Sequence, residues 1–391
     1  MPDKTRNFDF AATCIGSVPF QDIEDTCRDI LKHLPVMPFW PQFVKRSHLE
    51  DMIIQFSEGL PLLRIIEEKR SLVISETGNT ESELVAFYEH FLAQDTDHFA
   101  VGRDYAPGLY TLLEIIDQDE IQNPCIKGQI VGPITFAGAV TDVNGNSVLH
   151  NPELLEAMTQ GLAIKALWQV QKLASSGKET VIFLDEPYLA GFGSAFTSIQ
   201  RHEVVDLLST VINYLKDNSD TLVGIHCCGN TDWSMIAEAG PDIINFDAFE
   251  YMDYFLLYPD DIARFLKKGG TIAWGIVPTS NFTGDESVED LFSKLEEGFN
   301  RIYEWGIDPA MLSERSILTP ACGMGTMTPK ASKRGFDLLS NLSQKLKSPS
   351  IPLLKKGEEV GMPRLIENKG VCELNELTCI FVTGTERAEK K

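Results

Sequence analysis

Short, nearly continuous apolar runs recur along the chain, each closing on glycine, proline or a polar side chain. The clearest lie at 180–187 (TVIFLDEP), 221–230 (TLVGIHCCGN), 243–250 (IINFDAFE), 271–278 (TIAWGIVP) and 316–323 (SILTPACG). Earlier ones at 8–17, 36–42 and 125–135 bring the total to eight. Runs without strict alternation suit parallel strands covered on both faces. Between them, 152–176, 199–218, 231–239, 260–268, 287–305 and 329–347 carry apolar residues at i, i+3, i+4 spacing and read as helices. Alternating β and α elements imply a parallel sheet with right-handed crossovers. No GxGxxG follows the first run and no P-loop sequence occurs, so a nucleotide-binding sheet has no specific support. The pattern predicts an α/β fold, a (β/α)8 TIM barrel.

Two regions depart from the alternation. Residues 43–124 form a long insertion after the second strand, with amphipathic stretches at 47–66, 81–94 and 105–117 that predict a helical cap over the barrel. The barrel with this insertion is expected to occupy 1–347 as a single domain. Beyond it, 348–391 loses the periodicity and reads as a C-terminal extension containing Cys372 and Cys379.

Composition narrows the partners. With 34 Lys+Arg against 57 Asp+Glu in 391 residues, the net charge is −23. Phosphate backbones and anionic membrane surfaces both need clustered cations, so neither nucleic acid nor a membrane is expected as a partner. The longest apolar stretch, about 131–140, is far short of the ~20 residues of a membrane helix. The N-terminus lacks the apolar core of a secretory signal, and the chain reads as cytoplasmic. Eight cysteines are too sparse for a disulfide scaffold and read as free thiols or metal ligands.

Of the residues able to do chemistry, His226-Cys227-Cys228 is the most informative group. It ends a strand, where i and i+2 share a face, so His226 and Cys228 point together and Cys227 turns away. An imidazole and a thiolate projecting side by side suit a borderline-soft tetrahedral ion, of which zinc is the natural candidate. Strand ends form the active face of a barrel, and Cys322 lies at the end of the last strand. A carboxylate ligand can come from Asp247 or Glu250. Single acids, cysteines and histidines are ordinarily packing or surface groups. A histidine, two cysteines and an acid at three strand ends are a more demanding coincidence.

Zinc held by two thiolates, an imidazole and a carboxylate carries one net negative charge. Such a centre is poor at making hydroxide and well suited to holding an incoming thiol as a nucleophilic thiolate. The ligand set therefore points to thiol alkylation rather than hydrolysis. Asp185-Glu186-Pro187, at another strand end, offers acids for a substrate ammonium or for proton transfer, with helix capping as the plainer role of Glu186. Ile15, Gly16 and Ser17 end the first run and offer amide and hydroxyl donors. The remaining histidines, His33, His48, His90, His98, His150 and His202, read as structural or surface groups.

These residues, in this order, resemble the C-terminal catalytic barrel of cobalamin-independent methionine synthase. That barrel belongs to a superfamily with uroporphyrinogen decarboxylase and the zinc methyltransferases of coenzyme M. The resemblance covers about 8–347. It rests on Thr13-Cys-Ile-Gly-Ser-Val-Pro, Gly132-Pro-Ile-Thr, Leu184-Asp-Glu-Pro, His226-x-Cys228, Asp242-Ile-Ile-Asn-Phe-Asp247 and Ala321-Cys-Gly-Met. It implies a Zn2+-dependent methyltransferase of methionine biosynthesis, with catalytic zinc ligands His226, Cys228 and Cys322 and a carboxylate from Asp247 in preference to Glu250. It further implies that Ile15, Gly16 and Ser17 hold the homocysteine carboxylate and that Asp185 holds its ammonium.

The departures from the family also carry information. The chain has room for one barrel where full-length members have two. No histidine stands near Gly275-Ile-Val-Pro-Thr-Ser, where the family's proton donor falls, and Ala139 stands near the position of its folate-contacting tryptophan. Both groups serve methyltetrahydrofolate, whereas a methyl-corrinoid leaves without an acid. The expected donor is methylcobalamin or a methylated corrinoid protein acting as partner. The alternatives are transfer to another thiol such as coenzyme M, or a uroporphyrinogen decarboxylase-like enzyme, which would want cations for its polycarboxylate substrate.

Overall fold

Seven parallel strands form one curled sheet in the order β1-β9-β8-β7-β6-β5-β4. They are β1 (Ala11–Ala12), β4 (Cys125–Val131), β5 (Glu179–Asp185), β6 (Leu222–Cys227), β7 (Ile243–Phe246), β8 (Thr271–Val277) and β9 (Ser316–Pro320); β2 (Leu63–Ile66) and β3 (Ser71–Ile74) form a separate antiparallel pair. The structure, a computed structural model, describes residues 7–75, 79–194 and 197–348. The expected extension, with Cys372 and Cys379, falls outside the described residues from 349 onward.

From β4 to β9, consecutive strands are neighbours, and β1 pairs with β9 at the far edge. Nearly every strand residue is buried, as the unalternating apolar runs require when helices cover one face and the interior the other. The helices fall where the 3.6-residue periodicity put them: Pro152–Ala174, Arg201–Asn218, Trp233–Glu238, Pro259–Lys267, Val288–Glu304 and Pro329–Leu346. Several starts are fixed by local chemistry. Ser287 and Asp290 form a reciprocal capping box, and the Asp232 and Thr328 side chains accept amides of their first turns.

The eighth strand is a correction. The segment 36–42 does bond to both sheet edges: Lys127 N donates to Pro38 O (2.8 Å), Trp40 N to Lys127 O (3.4 Å), and Gln42 N to Gly16 O (3.0 Å). It does so through isolated bridges rather than as a regular strand. Pro38 and Pro41 lack the amide hydrogen a ladder needs and hold φ near about −65°. A regular eight-stranded barrel is therefore not formed among the described residues.

The insertion is partly as expected. Helices Thr80–Leu92 and Pro107–Gln118 occupy two of the three amphipathic stretches. The third, 47–66, folds as two 3-10 turns (His48–Glu50 and Ile54–Phe56) followed by β2. Gly59 and Leu62 both take positive φ (72° and 62°), which no continuous helix tolerates, and the β-branched Ile65 and Ile66 favour a strand. The two helices pack on Pro152–Ala174 and Ile23–His33, in the outer helical layer. Among the described residues no helix is long and apolar enough to cross a membrane.

Candidate metal centre

The end of β6 carries the site. Parallel register sets His226 level with Asp185 of β5 on one side and Asn245 of β7 on the other. Cys227 turns away into the apolar layer, and Cys228 follows on the His226 side. Cys322 stands two residues past the end of β9. Ligand atoms of His226, Cys228 and Cys322 all lie within 4.8 Å of one another. Two distant stretches of chain thus converge on one point.

A second layer fixes the imidazole. His226 is buried, and its Nδ1 lies 2.5 Å from Oδ1 of Asn245. Asn245 cannot flip without loss, because its Nδ2 donates to Ala273 O and to Thr319 Oγ1, both at 2.8 Å. Its oxygen therefore faces the ring, Nδ1 carries the proton, and the Nε2 lone pair is left over. Nε2 is buried and has no hydrogen-bond partner. An orphaned imidazole nitrogen beside two thiols is the arrangement a zinc ion satisfies. The residues fit that ion.

The two thiols lie within reach of each other. The Cys322 thiol donates to Cys228 and the His226 ring lies beside it, which together hold Cys228 well below the usual thiol range. The resulting charge, with burial, pushes Cys322 far up. A dication at this point would hold both sulfurs as thiolates.

The acids separate by role. Asp185 ends β5 beside His226, and its Oδ1 is buried without a partner. Burial pushes its carboxyl up to about 6, opposed by His226 and Lys127. Glu186 is fully buried and points elsewhere: it accepts Ile134 N (2.9 Å), Thr135 N (2.8 Å) and Thr135 Oγ1 (2.6 Å), capping helix Pro133–Ala139. Gly132 is required beside it, since a Cβ there would fall 2.2 Å from Glu186 Oε1.

The expected carboxylate ligands are not drawn into the cluster. Among the described residues the group comprises His226, Cys228 and Cys322 only. Asp247 spends Oδ1 on the Glu250 amide (2.9 Å), capping helix Ala248–Phe255, although its charge reaches Cys228. Burial lifts its carboxyl to about 6. Glu250 is exposed and accepts from Asn281 (3.2 Å). The strand ends at Phe246, so neither acid inherits the inward direction a continuing strand would have given.

Ile15, Gly16 and Ser17 lie against the loop that bears Cys322. Ser17 Oγ accepts Gly325 N (3.2 Å), and Ser17 O accepts Met324 N (2.9 Å). Beneath them is a group outside the sequence motifs. Lys127 of β4 is fully buried and donates to Ile15 O (2.6 Å) and Gln129 Oε1 (3.2 Å). Burial lowers it to about 8, which still leaves it cationic at neutral pH. Lys127 and Asn245 each had a sequence signal, a polar side chain inside a largely apolar strand.

No protein-family model matches the chain, and no curated protein sequence does. Among solved structures, a B12-independent methionine synthase from Shewanella sp. W3-18-1, in complex with selenomethionine, superposes with a TM-score of 0.51 at 13% identity, over 86% of this chain and 97% of that one. The two share a fold. A putative vitamin-B12 independent methionine synthase from Listeria monocytogenes gives 0.48 at 15% identity, over 83% and 86% of the two chains. A methyltransferase from Methanosarcina mazei gives 0.41 at 18% identity, over 63% and 66%.

Proposed function

We propose that this protein is a zinc-dependent thiol S-methyltransferase that converts homocysteine to methionine, taking the methyl group from methylcobalamin or a methylated corrinoid protein. The observation that carries the reading is the convergence of His226, Cys228 and Cys322 around an unpartnered Nε2. These three residues would hold Zn2+, with Asp247 the nearer candidate for a weak fourth ligand. When bound, the ion lowers the pKa of an incoming thiol from ~8.5 so that the thiolate predominates at neutral pH.

The chain's own groups supply recognition. Asp185 presents a buried, unpartnered oxygen to the acceptor's ammonium. Among the described residues the amides of Ile15, Gly16 and Ser17 donate to no protein acceptor, which leaves backbone donors for its carboxylate. The Asp185 carboxylate favours an aminothiol over coenzyme M, which has no ammonium, and offers little to a polycarboxylate porphyrinogen. The end of β8, Gly275-Ile-Val-Pro-Thr-Ser, provides no histidine to protonate a folate. A corrinoid donor needs none: the cobalt–carbon electron pair stays on cobalt as the sulfur–carbon bond forms, and the thiol proton goes to solvent.

The test is a methyl-transfer assay of the zinc-loaded protein, pairing methylcobalamin and methyltetrahydrofolate with homocysteine and coenzyme M. The corrinoid–homocysteine pair should be fastest. Folate-dependent turnover of equal rate overturns the donor assignment, and full activity without zinc overturns the whole reading.

A further inference from the structure

Lys127 occupies the middle of β4 with no exposed surface, and among the described residues no carboxylate pairs with it. Its partners are the Ile15 carbonyl (2.6 Å), Gln129 Oε1 (3.2 Å) and the face of Phe183, 4.5 Å from the ring centre. The Asp185 charge reaches Lys127, but its direct contacts are all neutral. Burying an ammonium this way is costly, and an apolar side chain would fill the same volume without that cost. The charge therefore needs a use.

The Ile15 oxygen and the Gly16 N–H belong to one peptide group. A full positive charge donating to that oxygen draws density from the amide and makes the N–H at its other end a stronger donor. The same peptide is held from both sides. Gly16 O accepts Gln42 N (3.0 Å), and Val18 N donates to Gln42 O (2.9 Å). A side chain at Gly16 has no room, since its Cβ would fall 2.2 Å from Gln42 Oε1. Among the described residues the Ile15, Gly16 and Ser17 amides have no protein acceptor.

We propose that Lys127 is a positioning residue for acceptors bearing a carboxylate: it clamps and polarises the Ile15–Gly16 peptide so that the Gly16 amide receives that carboxylate. Lys127 itself stays behind the peptide and does not touch the acceptor. It thereby selects α-carboxylate thiols over thiols that lack the group. The inference rests on the acceptor site proposed above.

The test is calorimetric titration of the full-length, zinc-loaded protein with L-homocysteine and with cysteamine, which keeps the thiol and ammonium and lacks the carboxylate. In Lys127→Met, homocysteine should bind about 10-fold more weakly, and the homocysteine-to-cysteamine affinity ratio should fall by a similar factor. Equal weakening of both thiols indicates a structural role and overturns the proposal, as does no change in either. Lys127→Gln, which keeps a neutral donor for Ile15, serves if the methionine variant does not fold. It should be intermediate, and wild-type binding there overturns the role of the charge. If the wild-type protein binds neither thiol, the acceptor site fails and takes this proposal with it.

Discussion

Asn245 Oδ1 lies 2.5 Å from His226 Nδ1, and the Asn245 amide nitrogen is anchored on β8 and β9 through Ala273 O and Thr319 Oγ1. Three adjacent strands thus cooperate to choose one tautomer of one imidazole. A carboxamide accepts from Nδ1–H without adding charge, so Nε2 is the ring atom left to a ligand. Asn245→Ala should weaken zinc binding by about 10- to 100-fold, the range seen when such supporting partners are removed. Competition with a chromogenic chelator measures it, and unchanged affinity would show that the tautomer is set elsewhere.

Metal and fold should be linked. An ion that binds only the native chain stabilises it by mass action, by about 4 kcal/mol at a thousandfold excess over its Kd. Chelation should lower the melting temperature of the wild-type protein, and added zinc should restore it. Cys322→Ser should lose stoichiometric zinc and melt at one temperature with or without the ion. A zinc response that survives this substitution would place the metal at other residues.

Glu186 belongs to the scaffold. Its carboxylate satisfies two amides and a hydroxyl at the start of helix Pro133–Ala139, all buried. Glu186→Ala orphans those donors and should cost about 3 kcal/mol in denaturant unfolding. Its zinc content should match the wild type, which separates it from Asp185's neighbourhood of ligands.

Lys165 gives a pH signature away from the site. It is buried on helix Pro152–Ala174, its Nζ donates to Phe99 O (2.8 Å), and burial lowers it from 10.5 to about 7. Between those values the unfolded chain binds the extra proton, so this group's contribution to stability rises with pH from about 7 to 10.5. Wild-type stability relative to Lys165→Met should therefore climb across that window, by at most about 1.4 kcal/mol per pH unit. A pH-independent difference would mean that Lys165 is not held neutral.

Much of the architecture was legible before folding. Most period-3.6 stretches became helices within a few residues of their expected limits, because most of those helices bury one face and the periodicity records it; Pro152–Ala174, buried nearly all round, is the exception. The segments that were misread share a cause. The 36–42 run is apolar enough for a strand, but its prolines remove donors. The 47–66 stretch is amphipathic enough for a helix, but its turn residues break it. Hydrophobicity reports burial, whereas backbone hydrogen bonding decides the element.

Residue order alone was enough to nominate His226, Cys228 and Cys322, since strand alternation dictates that i and i+2 face the same way and that strand ends meet at one rim. Which carboxylate joins them was not readable. Asp247 is turned to a helix cap by the chain's exit from β7, and such an exit depends on packing far away in sequence. The buried support of the site, Asn245 under His226 and Lys127 under Ile15, likewise came into view with folding. These two bonds span 19 and 112 residues of sequence, and a side chain's partner across such a gap is set by register and curvature, which no local pattern encodes.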